Sequence, residues 1–396
     1  MKIMAVNAGS SSLKFQLLDM PEEHVVTSGV VERIGLPNGV FTIKMNGEKH
    51  TETLEVPDHQ VAVELLLRKL VELQIVASVD EIVGVGHRVV HGGEKFSDSV
   101  LIDEAVIQAI EEVSDLAPLH NPANLTGIRA FQSALPSAPQ IAVFDTAFHQ
   151  TMKEEAFMYS TPIEWYEKYR VRKYGFHGTS HKYVSQRAAA MLEKDVSTLK
   201  TIVLHIGNGA SLCAVDGGIS VDTSMGFTPL AGISMGTRSG DIDPAIVEFI
   251  STKENKTVQQ VINDLNKDSG YLGISRVSSD SRDLWDAAYR GDKRSLLAIQ
   301  KQSKMIADYI GAYYLMMGGV DAIVFTAGVG ENAPNTREMI VERLQALGAK
   351  LDPDKNEARG VETNLSAPDS QVALLLIPTN EEVMIARDTV RLMEAK

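Results

Sequence analysis

Val6-Asn7-Ala8-Gly9-Ser10-Ser11-Ser12-Leu13 near the start and His205-Ile206-Gly207-Asn208-Gly209-Ala210-Ser211-Leu212 near the middle share one layout. Each is an apolar strand, a turn of Gly, Asn or Ser, and a second strand. Gly and Ser at such a turn let backbone N–H groups come close to phosphate oxygens. In the second copy, Leu212 to Val215 runs through Asp216-Gly217-Gly218 into Ile219 to Asp222, which is a hairpin signal. A duplicated β-turn-β unit predicts two related domains facing each other across a cleft. Two hairpins that arose separately are the alternative.

Outward from these turns, strand-like and helix-like runs alternate along the chain, the pattern of an α/β protein. Lys2 to Val6 is a short apolar strand, and Ser11 to Leu18 alternates with Leu13, Phe15 and Leu17 on one face. Asp58 to Leu73 has helical spacing through Val61, Leu65 and Leu66, and Glu104 to Val113 through Val106, Ile110 and Val113. Glu81 to Val90 and Gln140 to Phe144 read as buried strands. A third Gly-rich turn, Thr326-Ala327-Gly328-Val329-Gly330-Glu331-Asn332, follows a buried strand and precedes a helical stretch from Arg337 to Leu347. Backbone there can lie flat against a purine or ribose; a plain strand-to-helix turn is the other reading. No GxxxxGK[ST] loop is present, and Gly84, Gly86, Gly92 and Gly93 do not form a dinucleotide fingerprint.

The 396 residues suit two domains. At 44% apolar and 23% charged, the composition is that of an ordinary globular protein. A net charge of -14 argues against nucleic-acid binding. An acidic protein that holds a phosphate ester must build a local positive site from metal ions, a few Arg and Lys, and backbone N–H groups. The single cysteine, Cys213, excludes an intrachain disulfide and makes a reducing cytoplasm the expected home. No apolar run approaches the about 18 residues that cross a bilayer. The opening MKIMAVNAGSSS lacks the layout of a signal peptide.

A longer series of motifs is more specific. N-A-G-S-S-S-L-K-F from Asn7, H-R-V-V-H-G-G from His87, F-D-T-A-F-H from Phe144 and Y-G-F-H-G-T-S-H from Tyr174 come first. H-I-G-N-G from His205, D-T-S-M-G-F-T-P-L from Asp222, G-T-R-S-G-D-I-D-P from Gly236, T-A-G-V-G-E-N from Thr326 and T-N-E-E from Thr379 follow. In content, order and spacing this series resembles the acetate kinase family, of the sugar kinase, Hsp70 and actin superfamily. The resemblance implies two duplicated ribonuclease H-like domains clamping a nucleotide. Residues 1–150 with 380–396 would form the carboxylate and metal side, and 151–379 the nucleotide side and the dimer contact. It implies reversible transfer of the ATP γ-phosphoryl group to acetate, in a homodimer that binds neither nucleic acid nor membrane. A propionate kinase is the near alternative. A non-kinase ATPase is the distant one, although a chaperone would need a peptide-binding module after the ATPase core and none is expected here.

The resemblance also implies roles. Arg238 would stabilise the transferring phosphoryl, His177 would contact it with His120 and His205 in support, and Arg88 would clamp the carboxylate. The arginine fork suits both anions, while a surface ion pair is the usual fate of an Arg. His177 is expected to precede a helix capped by Thr179 or Ser180. Asp145, at the end of a strand, carries the family label of proton carrier. A carboxylate acceptor with a pKa near ~4 is already ionised, so Asp145 is expected to orient Arg88 or a metal-bound water instead, with a helix N-cap as the plain alternative. Asn7 and Glu381 match the positions that hold Mg²⁺, or Mn²⁺ in its place. Lys14 would reach a terminal phosphate, and His205, Ile206, Gly207, Asn208 and Gly209 form the phosphate loop. Asp280, Ser281, Arg282, Gly328, Val329, Gly330, Glu331 and Asn332 would surround the adenosine of ATP or ADP. Val90, Leu119, Phe176 and Pro229 would line a pocket for a short alkyl group.

Overall fold

In the computed structural model, which describes residues 1–45 and 47–395, backbone contacts divide the chain into two units. One comprises Met1–Gln150 with Asn380–Lys396, of which Lys396 lies outside the described residues; the other is Thr151–Thr379.

The first unit is built on eight strands: β1 (Lys2–Ala8), β2 (Ser12–Asp19), β3 (His24–Glu32), β4 (Gly39–Met45), β5 (Glu48–Leu54), β6 (Ile82–Val89), β7 (Val100–Leu101) and β8 (Gln140–Phe144). Their order in the sheet is β5-β4-β3-β2-β1-β6-β8-β7. The first five form an antiparallel meander, β6 and β8 run parallel to β1, and β7 runs antiparallel to β8. The outer strand β5, Glu-Lys-His-Thr-Glu-Thr-Leu, is nearly all exposed and polar, which blunts a free edge.

Alternate residues of a strand point to opposite faces, and the two faces are covered differently. Helices His59–Glu72 and Asn121–Ala134 pack on one side, around a core that includes Val6, Ala8, Leu13, Phe15 and Leu66. Asp58 caps the first of them, accepting from the Val61 N–H. The C-terminal helix, Glu381–Glu394, covers the other side over β1, β6 and β8. Its approach requires glycine at 84 and 86. A Cβ on Gly86 would lie 2.4 Å from Ile385 Cγ2, and one on Gly84 would lie 2.5 Å from Met393 Sδ.

The second unit has β9 (Lys200–Ile206), β10 (Ala210–Asp216), β11 (Ile219–Thr223), β12 (Ala322–Thr326), β13 (Thr363–Asn364) and β14 (Ala373–Leu376). Their order is β11-β10-β9-β12-β14-β13. Strand for strand this repeats β3-β2-β1-β6-β8-β7, with the same parallel and antiparallel partners. The two Gly/Ser turns are therefore equivalent points of a duplicated α/β fold, and the alternative of two unrelated hairpins falls. The β10–β11 hairpin turns at Gly217 and Gly218, both at positive φ (62° and 82°), as a primed two-residue turn requires. Helices Gly178–Met191 and Lys293–Met317 pack on this sheet.

Two local expectations are corrected. The segment after β12 is a short helix, Ala327–Asn332, and not an open turn; Pro334–Val341 and a 3₁₀ run, Glu342–Leu347, follow it. Backbone N–H groups that an open loop would have left for a ligand are there partly used within the helix, as in Ala333 N–H to Val329 O at 3.0 Å. Neither Thr179 nor Ser180 caps the helix Gly178–Met191. Both are buried in its first turn, and His177 takes the cap position in the left-handed region (φ 56°, ψ 24°) without a side-chain cap bond. Among the described residues no helix is long and apolar enough to cross a membrane.

Candidate active site

In the first unit, register decides the constellation. Asn7 lies opposite Lys14 across β1 and β2, and Arg88 lies opposite Val143 across β6 and β8. Asp145 is two residues beyond Val143, so it shares the face of Arg88. This is the face that the C-terminal helix covers, and the first turn of that helix carries Glu381 and Glu382, capped by Asn380. Arg88 Nε donates to Asp145 Oδ1 at 2.9 Å and Nη2 donates to Oδ2 at 2.6 Å. The side chain of Asp145 is 2% exposed and that of Arg88 is 26% exposed. The Asp145 charge holds the Arg88 guanidinium firmly protonated against the opposing effect of burial. One nitrogen of the fork, Nη1, takes no part in this pair, so Arg88 keeps donors for a second anion.

Asn7, Lys14, Arg88, Glu381 and Glu382 line one cavity of about 360 Å³. Burial pushes the Glu381 carboxyl up to about 7; Arg88 pulls it down, while Asp145 and Glu382 add to the rise. A carboxylate crowded by two others beside an amide oxygen is a donor set that a hard cation would relieve. Among the described residues no cluster of three or more His, Cys, Asp or Glu is arranged to hold a metal.

The loop that follows β6 is held by residues that sequence reading passed over. Val90 N–H donates to Asn124 Oδ1 at 3.1 Å, His91 N–H to Asn121 Oδ1 at 3.1 Å, and Gly92 N–H to Thr146 Oγ1 at 3.0 Å. Asn124 Nδ2 also reaches Ala8 O at 2.7 Å, tying this loop to the first Gly/Ser turn. The available signal was Asn121-Pro122-Ala123-Asn124: two amides, both buried, at the head of a helix whose later positions are apolar. Of the expected alkyl-pocket residues, Val90 is buried in this unit and Leu119 is 76% exposed, while Phe176 and Pro229 belong to the second unit. His120 stands at the start of the same Asn-rich helix.

In the second unit the turn from β9 to β10 is Gly207-Asn208-Gly209, closed by Gly207 N–H to Gly209 O at 3.2 Å. Asn208 O accepts from Gly236 N–H at 3.0 Å, so the Gly236–Gly240 loop lies against it. A Cβ on Gly209 would sit 3.4 Å from Arg238 Nη1 and 3.8 Å from His177 Nε2. Arg238 and His177 therefore converge on the phosphate-type loop. Arg238 is half-buried, donates to Pro229 O at 3.3 Å, and has no carboxylate partner among the described residues. Burial alone lowers its pKa. The His177 ring stacks on His205 with centroids 4.0 Å apart, and its Nδ1 lies 2.8 Å from Ser211 Oγ. His205, a buried residue of β9, is held at Nδ1 by Ser180 Oγ at 2.8 Å.

A second cavity, about 730 Å³, is lined by Gly207, Asn208, Asp280, Ser281, Arg282, Gly328, Val329 and Asn332. Three segments far apart in sequence thus meet on one opening, joined by Tyr271, Ser279, Ala333 and Arg359. Ile206, Gly330 and Glu331 stand behind this lining. Ile206 is buried in the sheet, Gly330 O accepts from Arg337 Nη1 at 2.9 Å, and Glu331 Oε1 accepts from Thr379 N–H at 3.1 Å. The side chain of Arg282 is 87% exposed and forks onto Asp280, which also caps helix Ser281–Tyr289.

The comparisons with known proteins agree with one another. Residues 2–387 match the acetokinase family. An acetate kinase of Halalkalibacterium halodurans is 60% identical over 99% of this chain and 100% of its own. The crystal structure of Porphyromonas gingivalis acetate kinase superposes with a TM-score of 0.96 at 46% identity, covering 99% of each chain. A propionate kinase of Francisella tularensis gives 0.93 at 43% identity, again over 99% of each chain. With a family match across nearly its whole length and relatives this similar, the chain belongs to the acetokinase family.

Proposed function

We propose that this chain is an ATP:carboxylate phosphotransferase that reversibly transfers the γ-phosphoryl group of ATP to acetate, giving acetyl phosphate and ADP. The observation that carries the reading is Arg238, a half-buried guanidinium without a carboxylate partner among the described residues, set beside His177 and the Gly207–Gly209 turn. Such an arrangement stabilises an anion whose charge is spread over several oxygens.

In this reading the nucleotide lies along the 730 Å³ cavity, with its phosphates toward the Gly207–Gly209 backbone. Arg88 takes the carboxylate of acetate with the donors that Asp145 leaves unused. The acceptor oxygen is already ionised at neutral pH, with a carboxylate pKa of about 4. No general base is needed, and Asp145 acts by fixing the plane of the Arg88 fork. The acceptor oxygen attacks the γ-phosphorus in line, the bond to the β–γ bridging oxygen breaks, and ADP leaves with that electron pair. Arg238 and His177 hold the equatorial oxygens while this happens, and Lys14 serves a terminal phosphate. Asn7 and Glu381 would hold Mg²⁺, or Mn²⁺ in its place, which would draw charge from the phosphate oxygens. Val90, Leu119, Phe176 and Pro229 would accept the methyl group.

We further propose a cytoplasmic homodimer joined through the second unit. Support for the dimer comes from exposed apolar side chains there, Ile246, Phe249 and Val258 among them. Support for the compartment comes from the need for ATP.

The deciding experiment is ATP-dependent acyl-phosphate formation trapped with hydroxylamine, comparing acetate, propionate, butyrate and glycerol at equal concentration. The expected result is the highest kcat/KM for acetate and no ATP consumption with glycerol. Propionate in the lead would replace the substrate and keep the mechanism. No trapped product with any carboxylate would overturn the reading.

A further inference from the structure

His177 caps helix Gly178–Met191 and His181 lies in its first turn, with the His181 N–H donating to His177 O at 2.9 Å. Both rings reach the same hydroxyl. His177 Nδ1 lies 2.8 Å from Ser211 Oγ, and His181 Nε2 lies 2.8 Å from it as well. Ser211 and His181 are completely buried. Ser211 belongs to β10, one residue beyond the Gly207–Gly209 turn and Ala210. A hydroxyl carries one proton and two lone pairs, so it can donate to only one of these nitrogens. At least one of the two must be an N–H, and the tautomers of the two rings are coupled through a single oxygen.

The geometry points to Ser211 as a positioning residue, braced by His181, that keeps a proton on the His177 nitrogen facing the phosphate loop. His181 Nε2–H donates to Ser211 Oγ, and Ser211 O–H donates to His177 Nδ1. The remaining proton of neutral His177 is then on Nε2, the atom that stands 3.8 Å from a Cβ built on Gly209, beside Arg238. The opposite order would place a lone pair at Nε2, where it would repel phosphoryl oxygens. When His177 is doubly protonated, the hydroxyl turns round and accepts on its two lone pairs from both His177 Nδ1–H and His181 Nε2–H. Nε2 is an N–H donor in both states. No proton or electron is consumed in this arrangement. The stack of His205 on the other ring face at 4.0 Å fixes the ring plane, and Ser211 fixes its hydrogen-bond polarity. Neither Ser211 nor His181 has a role in the motif reading above. The inference rests on the proposed contact of His177 with the phosphoryl group.

The test pairs two substitutions of equal shape, Ser211→Thr and Ser211→Val, with nitrogen-15 NMR of histidine-labelled full-length enzyme. Ser211→Val should lower kcat roughly ten- to a hundredfold, by analogy with the loss of the outer hydrogen-bond partner of a metal-bound imidazole. KM for ATP and for acetate should stay unchanged, and Ser211→Thr should restore most of the lost kcat. In the unsubstituted enzyme at neutral pH, His177 should be protonated at Nε2, and Ser211→Val should remove that preference. Equal kcat for the Thr and Val variants would make Ser211 a packing residue and overturn the inference. A resting His177 protonated only at Nδ1 would overturn it even if no variant folds. His177→Ala separates this outcome from failure of the underlying reading. Full activity in that variant overturns both, while lost activity together with equal Thr and Val variants overturns the positioning role alone.

Discussion

At the scale of single residues, two arginines in very different settings carry the proposed chemistry. Arg238 has no carboxylate partner among the described residues, so its removal leaves no buried charge behind. Arg238→Ala should lower kcat by about 10³- to 10⁵-fold, with a modest change in KM for ATP and an unchanged denaturation midpoint; steady-state kinetics and urea melts check both. Arg88 is tied to the buried Asp145, so Asp145→Ala should act on stability as well. An unpaired charge of this kind costs about 3 kcal/mol, the low end because Arg88 is partly exposed. The KM for acetate should rise, and urea denaturation beside acetate titration would show both effects. Glu381 gives a pH dependence. Its carboxyl sits at about 7 in the folded protein against an ordinary 4.5, so the native state keeps a proton that the unfolded chain releases. Metal-free protein should therefore lose stability as pH rises from about 4.5 to about 7. Glu381→Gln should remove that component, on the order of 1–3 kcal/mol. Matched urea melts across the window would show it, and parallel curves for the two proteins would refute it.

At the scale of elements, the C-terminal helix is the part whose position matters most for the first unit. It presents Glu381 to the cavity of Asn7, Lys14 and Arg88 only because Gly84 and Gly86 let it settle on β6. Gly86→Ala drives a methyl group into Ile385 and toward its backbone oxygen, 3.3 Å from the new Cβ. Overpacking of this kind costs about 1–3 kcal/mol, and the metal requirement for activity should rise along with the loss of stability. Guanidine denaturation and a Mg²⁺ titration of activity are the measurements. The elements themselves were largely legible in sequence. Gln140–Phe144 is a strand at the expected residues, and the helix read from Asp58 starts one residue later because Asp58 is its cap. The Gly-rich segment from Ala327 was misread as an open turn, because glycine is a poor helix former in isolation and tertiary packing against β9 overrides that preference.

At the scale of the molecule, the duplicated sheet order gives a chain of acidic net charge two equivalent turns at which the proposed chemistry can be built. Each unit offers a Gly-containing turn after its first strand, and the turn in each is supported by a different set of side chains. In the first, Asn124 holds Ala8; in the second, the Gly236–Gly240 loop holds Asn208. The first unit is discontinuous, needing Asn380 onward to cover β1, β6 and β8. A chain cut after Thr379 should leave that face bare, bind a hydrophobic dye and aggregate. A truncated protein that stays monodisperse with native circular dichroism would contradict this account of the fold.

The sequence by itself determined the α/β class, the strands around both Gly/Ser turns, the family motifs and the residues that could hold anions, because turn chemistry and apolar period are local properties. It could not say which of those residues stand together. Arg88 and Asp145 are 57 positions apart, and their fork depends on the register of β6 against β8. Glu381 joins Asn7 only through a helix that returns from the far end of the chain, and Ser211 meets both histidines only because the helix headed by His177 packs on the sheet to which β10 belongs. Partner choice is a property of packing between distant segments, so the tertiary structure alone decided that Arg88 is tied to a carboxylate while Arg238 has none among the described residues.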